Sequence, residues 1–168
     1  MTSILKLILG FFLLSALALA DSSKTTWRLQ MEELKGSKLY KNGQFERAFK
    51  LLQPLAQIGL KQAQYFVAFM YMQGQGTQAD PIAGMAWLAV AKESNITKWK
   101  QQYQQAVSLL NPQQKEQLAI KQQQFIELYG MKKQRIICEV RQHSTRARDK
   151  RVILCFKDKL GVTESFDI

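Results

Sequence analysis

The sequence predicts a mainly α fold of antiparallel helix pairs closed by a short, disulfide-linked C-terminal β-hairpin. Three observations carry this. Apolar residues recur at helical spacing from Trp27 to Tyr129; glycines and an Asn-Pro pair interrupt that spacing at intervals; and beyond Arg135 the pattern changes to β-branched runs that hold the two cysteines. A chain of 168 residues has room for one modest core. Its composition, 46% hydrophobic and 22% charged, is that of a folding chain and disfavours disorder over most of the length.

Residues 1–20 stand outside that fold. Lys6 is the only charge ahead of an apolar stretch from Leu7 to Leu19, and Ala18-Leu19-Ala20 closes it with the small-x-small pattern that a signal peptidase reads. Cleavage is expected between Ala20 and Asp21. The competing reading is an uncleaved anchor, against which stand a length below the roughly 20 residues that span a bilayer and the lack of a basic stop-transfer flank. The expected mature protein is periplasmic or secreted, without a stable membrane span.

In the mature part, Trp27, Met31 and Leu34 recur at i, i+4 and i+7 on one face of a first helix, which Asn42-Gly43 ends. A second helix starts near Gln44, turns Phe45, Ala48, Phe49, Leu52 and Leu55 inward, and stops at Gly59. Ala63, Val67, Ala68 and Tyr71 mark a third, closed by Gly74-Gln75-Gly76. Asp80-Pro81 supplies an N-cap and a first-turn proline for a fourth, with Met85, Leu88 and Ala91 toward the core.

The spacing within these two hairpins resembles that of tetratricopeptide-type repeats. Gly36, Leu39, Gly43, Phe45, Ala48 and Leu52 follow the pattern of such a pair, with small residues at Gly36 and Ala48 where the helices approach. Ala63, Val67-Ala68, Tyr71, Gly74-Gln75-Gly76, Asp80, Gly84, Trp87 and Ala91 look like the Sel-one-like variety, whose hairpin loop is longer and rich in glycine. Gly84 stands where that pattern has alanine, and Asn95 where a glycine closes the unit. The resemblance covers roughly residues 36 to 95. It implies a short α-solenoid that mediates protein–protein contacts and has no common catalytic residues.

Repeat arrays need about three units to bury a continuous core, so the two visible here require a cap. Trp99, Tyr103, Ala106, Val107 and Leu110 give a fifth amphipathic helix; Asn111-Pro112 opens a sixth, which carries Leu118, Phe125 and Tyr129 and ends at Gly130. These two are the expected capping pair and complete a helical domain over 21–130.

Residues 131–159 read as a basic β-hairpin. Arg135 to Arg141 and Arg151 to Lys157 are strand-like, the stretch from His143 to Lys150 is polar and basic, and opposing Cys138 to Cys155 sets Val140 opposite Ile153. In an oxidising compartment the cysteines are expected to form a disulfide, whose loop of about 18 residues is worth roughly 3 kcal/mol on the chain-entropy estimate. The alternative is two buried thiols. Residues 160–168 offer no signal beyond a frayed tail.

Two surfaces are candidates for binding. The hairpin segment has ten basic and three acidic residues, and Arg141, Arg146, Arg148, Lys150 and Arg151 are its candidates for contact with an anionic lipid, an envelope polysaccharide or an acidic protein. Nucleic acid is disfavoured by export and by the lack of aromatic residues among the arginines. The alternative is a solvated loop whose charge aids solubility. On the third helix, Tyr65, Phe69 and Met72 follow i, i+4, i+7 and could line a groove for another exported or envelope protein, or else pack on the capping helices.

Catalysis is disfavoured. His143 is the one histidine and is expected in a mobile loop, which removes a His-based triad and a multi-histidine metal site within one chain. Glu32, Glu33, Glu46, Asp80, Glu93, Glu116 and Glu127 read as helix-face or cap residues, with no pair set to drive pKa values apart. Gly74-Gln75-Gly76 lacks the following lysine and preceding strand of a phosphate loop. No cofactor or metal is implied. The expected function is an exported adaptor, with anion binding by the basic hairpin as the alternative.

Overall fold

The computed structural model describes residues 25–145, 148–157 and 161–167, so the expected leader, its expected cleavage site and Arg146 lie outside the described residues. The chain is mainly helical, with a small antiparallel sheet at its C-terminal end.

Helix α1 (25–41) turns back at Asn42-Gly43, where Gly43 takes φ +74°, a left-handed conformation that glycine adopts without steric cost. Helix α2 (Phe45–Gln57) then packs against it. Gly36 is the point of closest approach, since a Cβ there would fall 2.7 Å from the Leu52 side chain. Ala48 and Leu52 are fully buried in the same contact. Helix α3 (Lys61–Gln73) ends on left-handed Gly74. Helix α4 (Pro81–Ala91) begins where the Asp80 carboxylate accepts from the Ala83 N–H at 2.8 Å.

Helix α4 is the centre of the molecule. Every residue from Ala83 to Ala91 is buried, because α3 covers one side and α6 (Pro112–Tyr129) another. The α6 side is aromatic: Trp87 stacks on Tyr129 at 4.7 Å and meets Phe125 edge-on at 5.1 Å. Helix α5 (Thr97–Ser108) buries Trp99, while its Ala106 and Val107 pack with Leu118 and Met85. The two departures from the repeat pattern have physical reasons. At Gly84 even a methyl group would lie 2.6 Å from the Ala68 carbonyl oxygen, and Asn95 adopts φ 70°, the left-handed turn that a closing glycine would make.

A short helix α7 (Met131–Gln134) and left-handed Arg135 lead into β1 (Ile136–Thr145), which pairs with β2 (Arg148–Lys157). The register sets Cys138 against Cys155 and Val140 against Ile153, and the cysteines are joined in a disulfide with Cα atoms 4.1 Å apart. One end of the sheet docks on the helices, where Ile136, Ile153 and Cys155 cluster with Ala91, Ile96 and Trp99. Val140, although paired with the buried Ile153, is exposed.

Two expectations are corrected. The strands continue to Thr145 and resume at Arg148, so His143 lies in β1 opposite Lys150 instead of in a loop over 143–150. Nor is the end of the chain a frayed tail. Gly161–Asp167 forms a third strand, β3, paired with β2. Phe166 lies edge-on to Trp99 at 5.3 Å and Glu164 is buried against α3, so the strand is held by side chains as well as by its ladder.

Candidate binding surface

Helix α1 presents the apolar stripe that the sequence shows, but outward. Trp27 is 64% exposed, Met31 44% and Leu34 62%, while Thr26, Leu29, Glu33, Gly36 and Ser37 form its buried side. The reason is steric. Packing on α2 is so close at Gly36 that the contact takes small residues, and the bulky stripe turns to the other side. Helical periodicity locates a stripe without giving its direction. Arg28, Lys35 and Lys38 border it, with Glu32 as the acidic residue of the same surface.

The row expected to line a groove on α3 is engaged by its neighbours. Tyr65 stacks on Trp99 at 4.7 Å and tilts against Phe69 at 4.9 Å. Met72 packs with Met85, Ala86 and Leu118. All three are half-buried, because the capping helix α5 and the N-terminal part of α4 cover this side.

Of the basic residues assigned to the hairpin, Arg141 and Arg151 are exposed on neighbouring strands. The Arg141 guanidinium pairs with Glu139 at 2.5 Å and lies over the Phe156 ring at 5.3 Å, so part of its charge is already answered. Arg148 and Lys150 are placed in β2 by backbone, with their side chains outside those described. Lys157, which the sequence left unassigned, donates to the Gln134 carbonyl at 3.1 Å and joins β2 to α7.

Beneath the α1 stripe lies a polar junction that the sequence did not reveal. The first N–H groups of α3 have no intrahelical acceptor, and two carboxyl groups from distant elements take them. Glu164 of β3 accepts from Lys61 and Gln62, both at 2.7 Å, and Glu33 of α1 accepts from Ala63 at 2.9 Å. The two carboxyl groups thus sit on the same first turn of α3, and each acts on the acidity of the other. Burial, then the neighbouring Glu164, pushes Glu33 well above the usual carboxylate range; burial raises Glu164 to about 7. The Lys61 ammonium, fully buried and lowered by that burial, is held by Gln64 at 3.1 Å, the Val90 carbonyl at 3.0 Å and Glu93 at 3.2 Å. Glu93 also accepts from the Met131 N–H at 2.8 Å, which carries the network to α7.

Reading Glu33 as a helix-face residue is therefore corrected. Its position among Leu29, Gly36 and Ser37, at helical spacing, is the sequence signal for the buried face. The alternation of Val162, Glu164 and Phe166 is the corresponding signal for β3. Among the described residues no three His, Cys, Asp or Glu side chains are grouped to hold a metal ion, and no helix is long and apolar enough to cross a membrane. No family model matches the chain, and no curated protein matches it.

Proposed function

We propose that the protein is an exported adaptor without chemistry of its own, which docks another envelope protein on the outward face of α1. The observation that carries this is the exposure of Trp27, Met31 and Leu34 on one side of a helix whose other side is firmly packed. Aromatic and methionine side chains gathered in this way anchor interfaces, since burying them recovers about 25 cal/mol per Å² of apolar area. The partner fits as an amphipathic helix with an acidic border. In a stacked array the preceding helix pair would occupy this side of α1, and Arg28, Lys35 and Lys38 would face the partner's carboxylates. The Sel-one-like resemblance supports the same reading.

The second reading is anion binding by the basic sheet, favoured by the exposure of Arg141 on β1 and Arg151 on β2. Capture from an extract of the native host's envelope separates the two, with the mature protein immobilised as parent, Leu34→Glu and Arg141→Ala/Arg151→Ala. The adaptor reading expects one defined protein, kept at high salt and by the double arginine variant and lost with Leu34→Glu. A ligand that ignores Leu34→Glu but leaves with salt and with the arginines places the work on the sheet and overturns the α1 face.

A further inference from the structure

Strand β1 is the open edge of the sheet, a surface separate from the α1 face and independent of what docks there. Among the described residues the sheet order is β1-β2-β3, so β1 has one strand neighbour. The β3 side is closed by helices, through Glu164 on α3 and Phe166 on Trp99. On the β1 side the cover stops short: Ile153 of β2 is 2% exposed, whereas its partner Val140 is 53% and Ile137 is 68% exposed. Edge strands are commonly guarded by prolines or bulges. Strand β1 has neither, and it pairs with β2 without interruption from Ile136 to Thr145.

The direction of its backbone groups follows from the spacing of the cysteines. Directly opposed residues of antiparallel strands alternate between hydrogen-bonded pairs, with Cα atoms about 5.5 Å apart, and non-hydrogen-bonded pairs at about 4.5 Å. At 4.1 Å, Cys138 and Cys155 are a pair of the second kind. The N–H and C=O groups of Cys138, and at every second residue those of Val140 and Gln142, therefore point away from β2 toward the open edge. Between them stand Glu139 and Arg141, both exposed and paired with each other at 2.5 Å on one face of the strand.

We propose that this edge pairs with the same edge of a second copy of the chain, antiparallel about a two-fold axis at Val140. Val140 then faces its own copy in a hydrogen-bonded pair, and Cys138 faces Gln142 of the second copy in the same way, so the outward N–H and C=O groups satisfy one another. Glu139 faces Arg141 of the second copy, and Arg141 faces its Glu139, at the closer positions where side chains meet. The two intrachain ion pairs become one ring of four alternating charges. Moving the axis by one residue sets Glu139 against Glu139 or Arg141 against Arg141, so the charges select the Val140 register. The association is isologous, as a closed dimer requires.

Sedimentation equilibrium of the mature protein with its disulfide intact tests this, read as a dissociation constant over a concentration series up to about 1 mM. The parent is expected to dimerise. Glu139→Arg, which brings like charges together at both ends of the ring, is expected to raise the dissociation constant roughly tenfold or more. Glu139→Arg/Arg141→Glu, which reverses both pairs, is expected to restore it. Amide exchange at Cys138, Val140 and Gln142 should slow in step with dimer formation. A parent that stays monomeric throughout the series overturns the proposal, whether the edge is idle or takes an extended segment of another protein. So does a double variant no tighter than Glu139→Arg, and so does a dimer that Glu139→Arg leaves intact; if Leu34→Glu disperses such a dimer, its contact is the α1 face.

Discussion

Gly84 meets the carbonyl oxygen of Ala68, and a backbone atom in a packed helix cannot give way as a side-chain tip can. Gly84→Ala is therefore expected to part α3 from α4 at a cost of about 1–3 kcal/mol, seen as a lower urea midpoint with an unchanged slope. The same reasoning identifies Asn95, whose left-handed backbone suits asparagine better than a β-branched residue. At Glu33 and Glu164 the argument is electrostatic. Their acidity is weakened in the folded state, so the associated stability is fully present below about pH 4.5 and is lost as pH rises, for Glu164 through about 7. For Glu164 the shift corresponds to on the order of 3 kcal/mol. Thermal melts at pH 5.5 and 8 are expected to show the parent losing stability over that interval and Glu33→Gln losing much less of it. Sequence reading missed the pair because burial of a carboxyl depends on neighbours that are distant along the chain, here by about a hundred residues.

Elements with strong local signals were legible. Glycine stops and the Asp80-Pro81 and Asn111-Pro112 starts place helix ends where the structure has them. The register of β1 on β2 also followed from the cysteines, because opposing Cys138 to Cys155 leaves one pairing for every other residue. What could not be read was orientation. The α1 stripe is present in the sequence, but whether it faces the core depends on the closeness of α2. Leu34→Glu is accordingly expected to change stability by no more than about 0.5 kcal/mol, measured by denaturant titration, while it is expected to abolish the proposed docking. The sheet behaves differently. It docks at one end only, so Cys138→Ser/Cys155→Ser is expected to lower the opening free energy of β1 and β2 by roughly 3 kcal/mol. Hydrogen exchange should show that loss in the strands while α3 and α4 keep their protection.

Across the molecule, cohesion converges on α4, and this explains how so few helix pairs can hold a core. Helix α6 covers the side of α4 away from α3 by laying Phe125 and Tyr129 on Trp87, while Leu118 meets Met85 and Ala86. The residues of α6 that meet α4 were legible from their spacing. Their common target was not, since the repeat pattern treats Trp87 as one packing position among several. Trp87→Ala removes both ring contacts at once and is expected to cost about 3–5 kcal/mol. The loss should also be uneven. Helix α6 retains its capping box but loses the surface that orders its C-terminal half, whereas α2 and α3 keep their own contact through Ala48, Leu52 and Val67. Unfolding followed by hydrogen exchange should then resolve α6 as an earlier step in Trp87→Ala and as part of a single transition in the parent. A variant that unfolds in one step at a lower midpoint would mean that the helix pairs cannot stand without their cap.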